Sequence, residues 1–97
     1  MINKTLILDF LKAHKQEMNE TFGVMKIGLF GSYVRDEQKE SSDIDIAVEI
    51  ESSNKFRSFF GLKHYLEDNL GQSVDLGIES TLKPVARETI MRDIIYV

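Results

Sequence analysis

Three short stretches hold the residue types that could do chemistry: Gly31-Ser32, Asp43-Ile44-Asp45, and Asp75 within Val74-Asp75-Leu76. In an extended strand side chains alternate with a period of two. Asp43 and Asp45 therefore point to one side, with Cα atoms about 6.6–6.8 Å apart. Carboxylates so placed can converge on a pair of divalent cations about 3.5–4 Å apart. Hard oxygen ligands with no His or Cys nearby select Mg²⁺, or Mn²⁺, over zinc. Gly31-Ser32 ends a short apolar run and precedes a polar stretch with room for one helical turn. A glycine there lets the backbone approach a phosphate, free N–H groups at a helix start bind anions, and the Ser hydroxyl adds a donor. Anion-binding donors beside cation-binding carboxylates are what a metal–nucleoside triphosphate requires.

Taken singly, these pieces mean little. With seven Asp in 97 residues, chance supplies roughly 0.5 Asp-x-Asp pairs. Requiring Gly-Ser at one fixed offset before the pair lowers the chance expectation to about 0.002. The joint pattern is the signal. Asp75 extends it, because it falls on the polar face of another alternating stretch that a neighbouring strand can bring beside the first two. Three carboxylates on one sheet surface, with apolar residues behind, would repel strongly without metal.

Other motif readings fail on details. A calcium loop starting at Asp43 needs Gly at its sixth position and Glu at its twelfth, where Val48 and Asn54 stand. A P-loop needs Gly-Lys before Ser/Thr, and Gly28-x-x-Gly31 is not a dinucleotide fingerprint. His14 and His64 lie on separate helical segments with no metal-ligand constellation nearby in sequence, and read as structural or solvent-facing. Phe56, Phe59 and Phe60 read as core.

The elements that must position these residues follow from periodicity. Thr5 to Thr21 reads as one helix, with Leu6, Phe10, Leu11, Met18 and Phe22 near helical spacing and Gly23 as its cap. Met25 to Phe30 is a short apolar run and reads as a buried strand. Asp43 to Ile50 alternates cleanly, with Ile44, Ile46, Val48 and Ile50 on one face. Asn54 can cap a helix running to Leu70, with Phe56, Phe59, Phe60, Leu66 and Leu70 inward and Gly71 ending it. Ser73 to Ile78 alternates again. Pro84 suits the first turn of a last helix, and Ile94 to Val97 a short final strand. The stretch from Gly31 to Ser42 is too short for a full crossover, so the strands flanking it should pair antiparallel. The expectation is an α+β domain: a small mixed β-sheet with helices packed on one face.

Composition bounds the function classes. Ninety-seven residues suit one domain spanning 1–97, with a modest core and a shallow cleft. The 12 Lys+Arg against 16 Asp+Glu give a net charge of −4, which argues against a direct nucleic-acid binder. The absence of cysteine excludes disulfides, zinc–thiolate sites and thiol catalysis. No signal-peptide pattern or membrane-length apolar run appears, so a cytoplasmic protein without a membrane partner is expected.

Gly31-Ser32, ten residues, Asp43-x-Asp45, then a later strand Asp75 resembles the DNA polymerase beta superfamily of nucleotidyltransferases. More narrowly, the whole chain is similar to the minimal nucleotidyltransferases, single domains of about this size. The likeness includes the leading helix, Leu29-Phe30-Gly31-Ser32-Tyr33-Val34-Arg35 and the Pro84 helix. It implies a polymerase beta-like core in which Asp43 and Asp45 coordinate two Mg²⁺ ions. Asp75 would bind one of these ions and help activate the attacking hydroxyl, while Gly31, Ser32 and Arg35 hold the triphosphate of ATP. The family often has Gly directly after this Arg; here Asp36 replaces it. Many such proteins resemble antitoxins encoded beside a HEPN-type toxin, to which they transfer AMP, on a tyrosine, forming a hetero-oligomer with it.

Two further readings stand beside that one. The chain could neutralise its partner by stoichiometric binding, with its nucleotide chemistry vestigial. It could also nucleotidylate a small molecule, although relatives that do so carry extra domains for the substrate. The carboxylates favour transfer, since a pure binder has no need for three repelling charges.

Overall fold

Helix formation begins where a side chain can satisfy the first free N–H groups. In the computed structural model, which describes residues 2–97, Asn3 accepts from the Leu6 N–H at 3.0 Å and starts α1 (Lys4–Ala13). The chain leaves helical geometry at His14 and continues as α2 (Lys15–Phe22). The single helix expected over 5–21 is thus two helices. The His14 ring turns back onto α1, with Nδ1 2.9 Å from the Phe10 carbonyl oxygen and the ring stacked on Phe10 at 4.1 Å. Three consecutive apolar residues, Leu6, Ile7 and Leu8, leave the helical phase open in the sequence. Packing selects Ile7, which is buried with Leu11 and Met18, and leaves Leu6 54% exposed.

Gly23, at φ +74°, ends α2 and leads into β1 (Val24–Phe30). After the turn come β2 (Ile44–Ile50), α3 (Lys55–Leu70), β3 (Val74–Ile78) and a 3₁₀ turn at Glu79–Thr81. The chain closes with α4 (Pro84–Asp93) and β4 (Ile95–Tyr96). The sheet order is β3-β2-β1-β4. β1 pairs antiparallel with β2 and β4, as its short connection to β2 requires, while α3 carries the chain over to the parallel pair β2–β3. The α+β class and the mixed sheet are as expected. An irregularity at Met25 places Val24 opposite Ile50 and Lys26 opposite Glu49. One extra residue shifts the alternation, so Val24 and Ile27 both enter the core.

α1, α2 and α3 cover the apolar face, where Ile27, Leu29, Ile44, Ile46, Val48, Leu62 and Leu66 are all fully buried. On α3 the inward stripe is Phe59, Leu62, Leu66 and Leu70. Phe56 and Phe60, expected inward, are 75% and 43% exposed. Successive helical residues turn by about 100°, so Phe60 cannot share the direction of Phe59.

The opposite face carries Asp45, Ala47 and Glu49 of β2, in register with Phe30, Gly28 and Lys26 of β1. Asp75 and Gly77 of β3 complete it. The middle row, Gly28-Ala47-Gly77, has almost no side-chain bulk, and the C-terminal segment lies over it. A Cβ at Gly28 would meet Ile94 Cγ1 at 2.7 Å, and one at Gly77 would touch Leu82 at 3.8 Å. Below that row, Glu79 is buried (3% exposed) and accepts from the Tyr96 hydroxyl, with Lys26 Nζ at 3.3 Å. Burial pushes the Glu79 carboxyl up, but the Tyr96 and Lys26 hydrogen bonds outweigh it and hold the group below its ordinary range. No helix among the described residues is long and apolar enough to cross a membrane.

Candidate active site

Parallel pairing of β2 with β3 sets Asp45 directly opposite Asp75, a neighbour distance of about 4.8 Å between strands. Asp43 precedes β2 by one residue, two positions from Asp45. Three hydrogen bonds hold these strand ends together: the Ile44 N–H donates to Ser73 O at 2.9 Å, and Gln72 Nε2 donates to Ser42 O at 2.6 Å and Glu40 O at 3.0 Å. Gln72 carried no motif in the sequence, and only pairing reveals its use. Asp45 is half-buried, whereas Asp43 and Asp75 are exposed. Burial, then the charges of Asp75 and Asp43, push the Asp45 carboxyl from 3.8 to about 6, and Arg35 pulls it down. The repulsion expected from carboxylates sharing one surface is therefore felt at Asp45.

These groups offer only oxygen donors, which suits a hard divalent cation. They form an open set: among the described residues no three acidic or histidine side chains gather into a ready-made metal cage. His14 and His64 lie away from the carboxylates, at the α1–α2 junction and exposed on α3.

Gly31 answers two demands at once. Its φ is +81°, and a Cβ there would overlap the Asp45 carboxylate; any other residue would be strained in backbone and blocked in space. The turn that follows is closed by Val34 and Arg35 N–H groups donating to Gly31 O, at 3.1 and 3.3 Å, and by Glu37 N–H donating to Ser32 O at 2.9 Å. Among the described residues neither the Ser32 nor the Tyr33 N–H donates to a partner. Those two donors stand at the start of the turn, directly after the glycine that lies against Asp45. Tyr33, 1% exposed, plugs the turn into the core, and burial, then the Asp43 charge, raise its hydroxyl pKa. Asp36, at φ +57°, is the one non-glycine in the left-handed region among the described residues. A Gly at that position of the motif has a physical cause, and Asp is one of the few residues that tolerates the same geometry.

Arg35 reaches the site from the end of this turn. Its Nη1 donates to Asp93 Oδ2 at 2.7 Å and its Nε lies 3.4 Å from Glu37 Oε1. The Asp93 hydrogen bond is the main reason its already high pKa rises further. Asp93 lies 58 residues away in sequence and showed no signal there. An apolar groove of about 450 Å³ is lined by residues that include Ile50, Phe56, Phe59, Phe60 and Ile78. It sits at the C-terminal ends of β2 and β3, the far end of the strands from Asp45 and Asp75, and belongs to no part of this site.

The mixed four-stranded sheet with its covering helices is the fold of a nucleotidyltransferase with a polymerase beta-like core. Residues 11–97 match the nucleotidyltransferase domain family, and the chain belongs to that family. It is 46% identical over 97 residues to protein adenylyltransferase MntA of Thermococcus cleftensis, covering 100% of this chain and 98% of that protein. Among solved structures, one assigned to a minimal nucleotidyltransferase matches with a TM-score of 0.72 and 33% identity, over 91% of this chain and 93% of that one. A Shewanella oneidensis complex of a tri-AMPylated HEPN toxin with its MNT antitoxin shares the fold, with a TM-score of 0.67 and 22% identity, over 95% and 69% of the two chains.

Proposed function

We propose that this chain is a protein adenylyltransferase that moves AMP from ATP onto a tyrosine hydroxyl of a HEPN-type toxin, acting as its antitoxin in the cytoplasm. The observation that carries the reading is the juxtaposition at Gly31: a left-handed turn offering N–H donors lies against the carboxylate of Asp45, itself opposite Asp75. Support also comes from the protein adenylyltransferase named in Thermococcus cleftensis. The AMPylated HEPN toxin bound to the Shewanella antitoxin agrees with it.

In this mechanism the tyrosine oxygen attacks the α-phosphorus of ATP. A new P–O bond forms, the bond to the bridging oxygen breaks, and pyrophosphate leaves with that electron pair. The hydroxyl proton passes toward Asp75, and its exposure at the sheet edge supports that role. The Ser32 and Tyr33 N–H groups and the Ser32 hydroxyl hold phosphate oxygens, and Arg35 adds a cation. Asp43 and Asp45 would hold two Mg²⁺ ions, or Mn²⁺, with Asp75 sharing one. Bound there, the ions stabilise charge on the attacking and leaving oxygens. The remaining catalysis is positioning. The carboxylates form an open set on the sheet, and the toxin completes the cleft around the nucleotide.

Incubation with labelled ATP, Mg²⁺ and the neighbouring HEPN-type protein should transfer label to a tyrosine of that protein. Absence of transfer, or equal transfer by the Asp43→Asn/Asp45→Asn double variant, would refute the proposal. One observation favours the reading of neutralisation by binding alone: the exposed Phe56 and Phe60 beside the apolar groove offer a contact surface remote from the carboxylates. If the double variant loses transfer yet still protects cells from the toxin, binding suffices.

A further inference from the structure

We infer that Asp93 is a positioning residue for the triphosphate, acting through Arg35; the inference rests on the role proposed for Arg35. Three observations carry it. First, β4 pairs antiparallel with β1 so that Leu29 faces Ile95, which returns the end of α4, with Asp93 two residues before Ile95, toward the turn that follows β1. The carboxylate is thereby set against Arg35, at the end of that turn. It is held there by the Ile94 side chain packed over Gly28 and by the Val97 N–H donating to Ile27 O at 3.2 Å.

Second, the guanidinium is engaged at two of its three nitrogens, Nη1 by Asp93 and Nε by Glu37. Among the described residues nothing engages Nη2. An arginine side chain is long and flexible. Fixing its planar fork from two sides leaves one nitrogen and its donors in a set direction, ready for an anion.

Third, Asp93 is the last residue of α4, where the helix carries partial negative charge and a carboxylate is repelled. Nothing in α4 itself calls for an acid there. The ion pair with Arg35, across 58 residues, accounts for it. Asp93 is less exposed than its partner, with 27% of its side chain accessible against 43% for Arg35, as suits the fixed member of the pair.

The test uses the full chain and measures equilibrium binding of ATP with Mg²⁺, together with KM and kcat for AMP transfer to the partner protein. Arg35→Ala should weaken ATP binding, and Asp93→Ala should weaken it about 5–10-fold, the value of losing one charge-assisted hydrogen bond's orientation. The loss should fall on KM more than on kcat. Asp93→Asn, which keeps an acceptor oxygen, should restore most of the affinity. In an Arg35→Ala background Asp93→Ala should add nothing, because both changes remove the same interaction. Additive losses, or a fall in kcat alone that tracks melting temperature, would reduce Asp93 to a structural contact and overturn the inference. If Arg35→Ala weakens ATP binding but Asp93→Ala does not, the role of Asp93 fails and that of Arg35 stands. If Arg35→Ala leaves ATP binding unchanged, both fail together.

Discussion

Replacing Asp45 by Asn should make the cation-free protein more stable at neutral pH while removing its chemistry. The Asp45 carboxyl titrates at about 6 instead of 3.8 because it is partly buried and faces Asp75 and Asp43. A tenfold displacement of a proton equilibrium is worth about 1.4 kcal/mol, so the unscreened cost of holding this charge is about 3 kcal/mol. Asp45 is half-buried and its neighbours are exposed; solvent screening reduces that to about 1–2 kcal/mol. The sign follows from the direction of the shift. The folded state binds this proton more tightly than the unfolded chain, so unfolding releases it between 3.8 and about 6. Stability from this group therefore falls as pH rises through that window, and the penalty is complete near about pH 7. Urea or thermal melts in the presence of a chelator measure it. At about pH 7 the Asp45→Asn protein should melt higher, by about 4–8 °C for each kcal/mol, and the gap should close by about pH 4. An NMR titration of the Asp45 carboxyl carbon gives the midpoint directly. A variant no more stable than the parent at neutral pH, or a gap independent of pH, would refute the account of carboxylate crowding.

Three other changes probe the scaffold. Gly31→Ala forces a side chain into left-handed backbone and onto the Asp45 carboxylate; it should cost about 1–3 kcal/mol of stability, and AMP transfer should fall about 100-fold or more, read by denaturation and by label transfer. Asp36→Gly should be neutral or stabilising by up to about 1 kcal/mol, since Gly adopts φ > 0 freely and the Lys4–Asp36 pair it removes, at 3.6 Å, is on the surface; a loss above that range in urea melts would show that the aspartate itself is needed. Glu79→Gln should lose about 1–3 kcal/mol by weakening a buried charge-assisted network. Because Glu79 titrates below its ordinary 4.5, its contribution is present above that pH and lost as pH falls further, so the variant should show a flatter acid limb in stability against pH.

Much of the scaffold was legible because local chemistry decided it. Asn54 and Gly71 bracket α3 as their types require, with the Asn54 side chain accepting from the Arg57 N–H and Gly71 at φ +67°. The alternation from Ile44 to Ile50 survives unchanged as the inner face of β2. What failed was phase where apolar residues crowd: Leu6 against Ile7, and Phe56 and Phe60 against Leu62. In both places the sequence offers several hydrophobic faces, and only contact with the sheet chooses among them. The break at His14 was invisible because no Pro or Gly marks it.

For the site, residue type and spacing alone singled out Gly31-Ser32, Asp43, Asp45 and Asp75 as candidates. A period of two and the hardness of oxygen donors need no coordinates. Only the tertiary structure decided that Asp75 lies opposite Asp45, that Gln72 staples their strands, and that Arg35 is held by Asp93. Each of those joins residues at least 30 positions apart. Strand register and charge pairing at that range come from burying one sheet face against three helices, which no local pattern in the chain encodes.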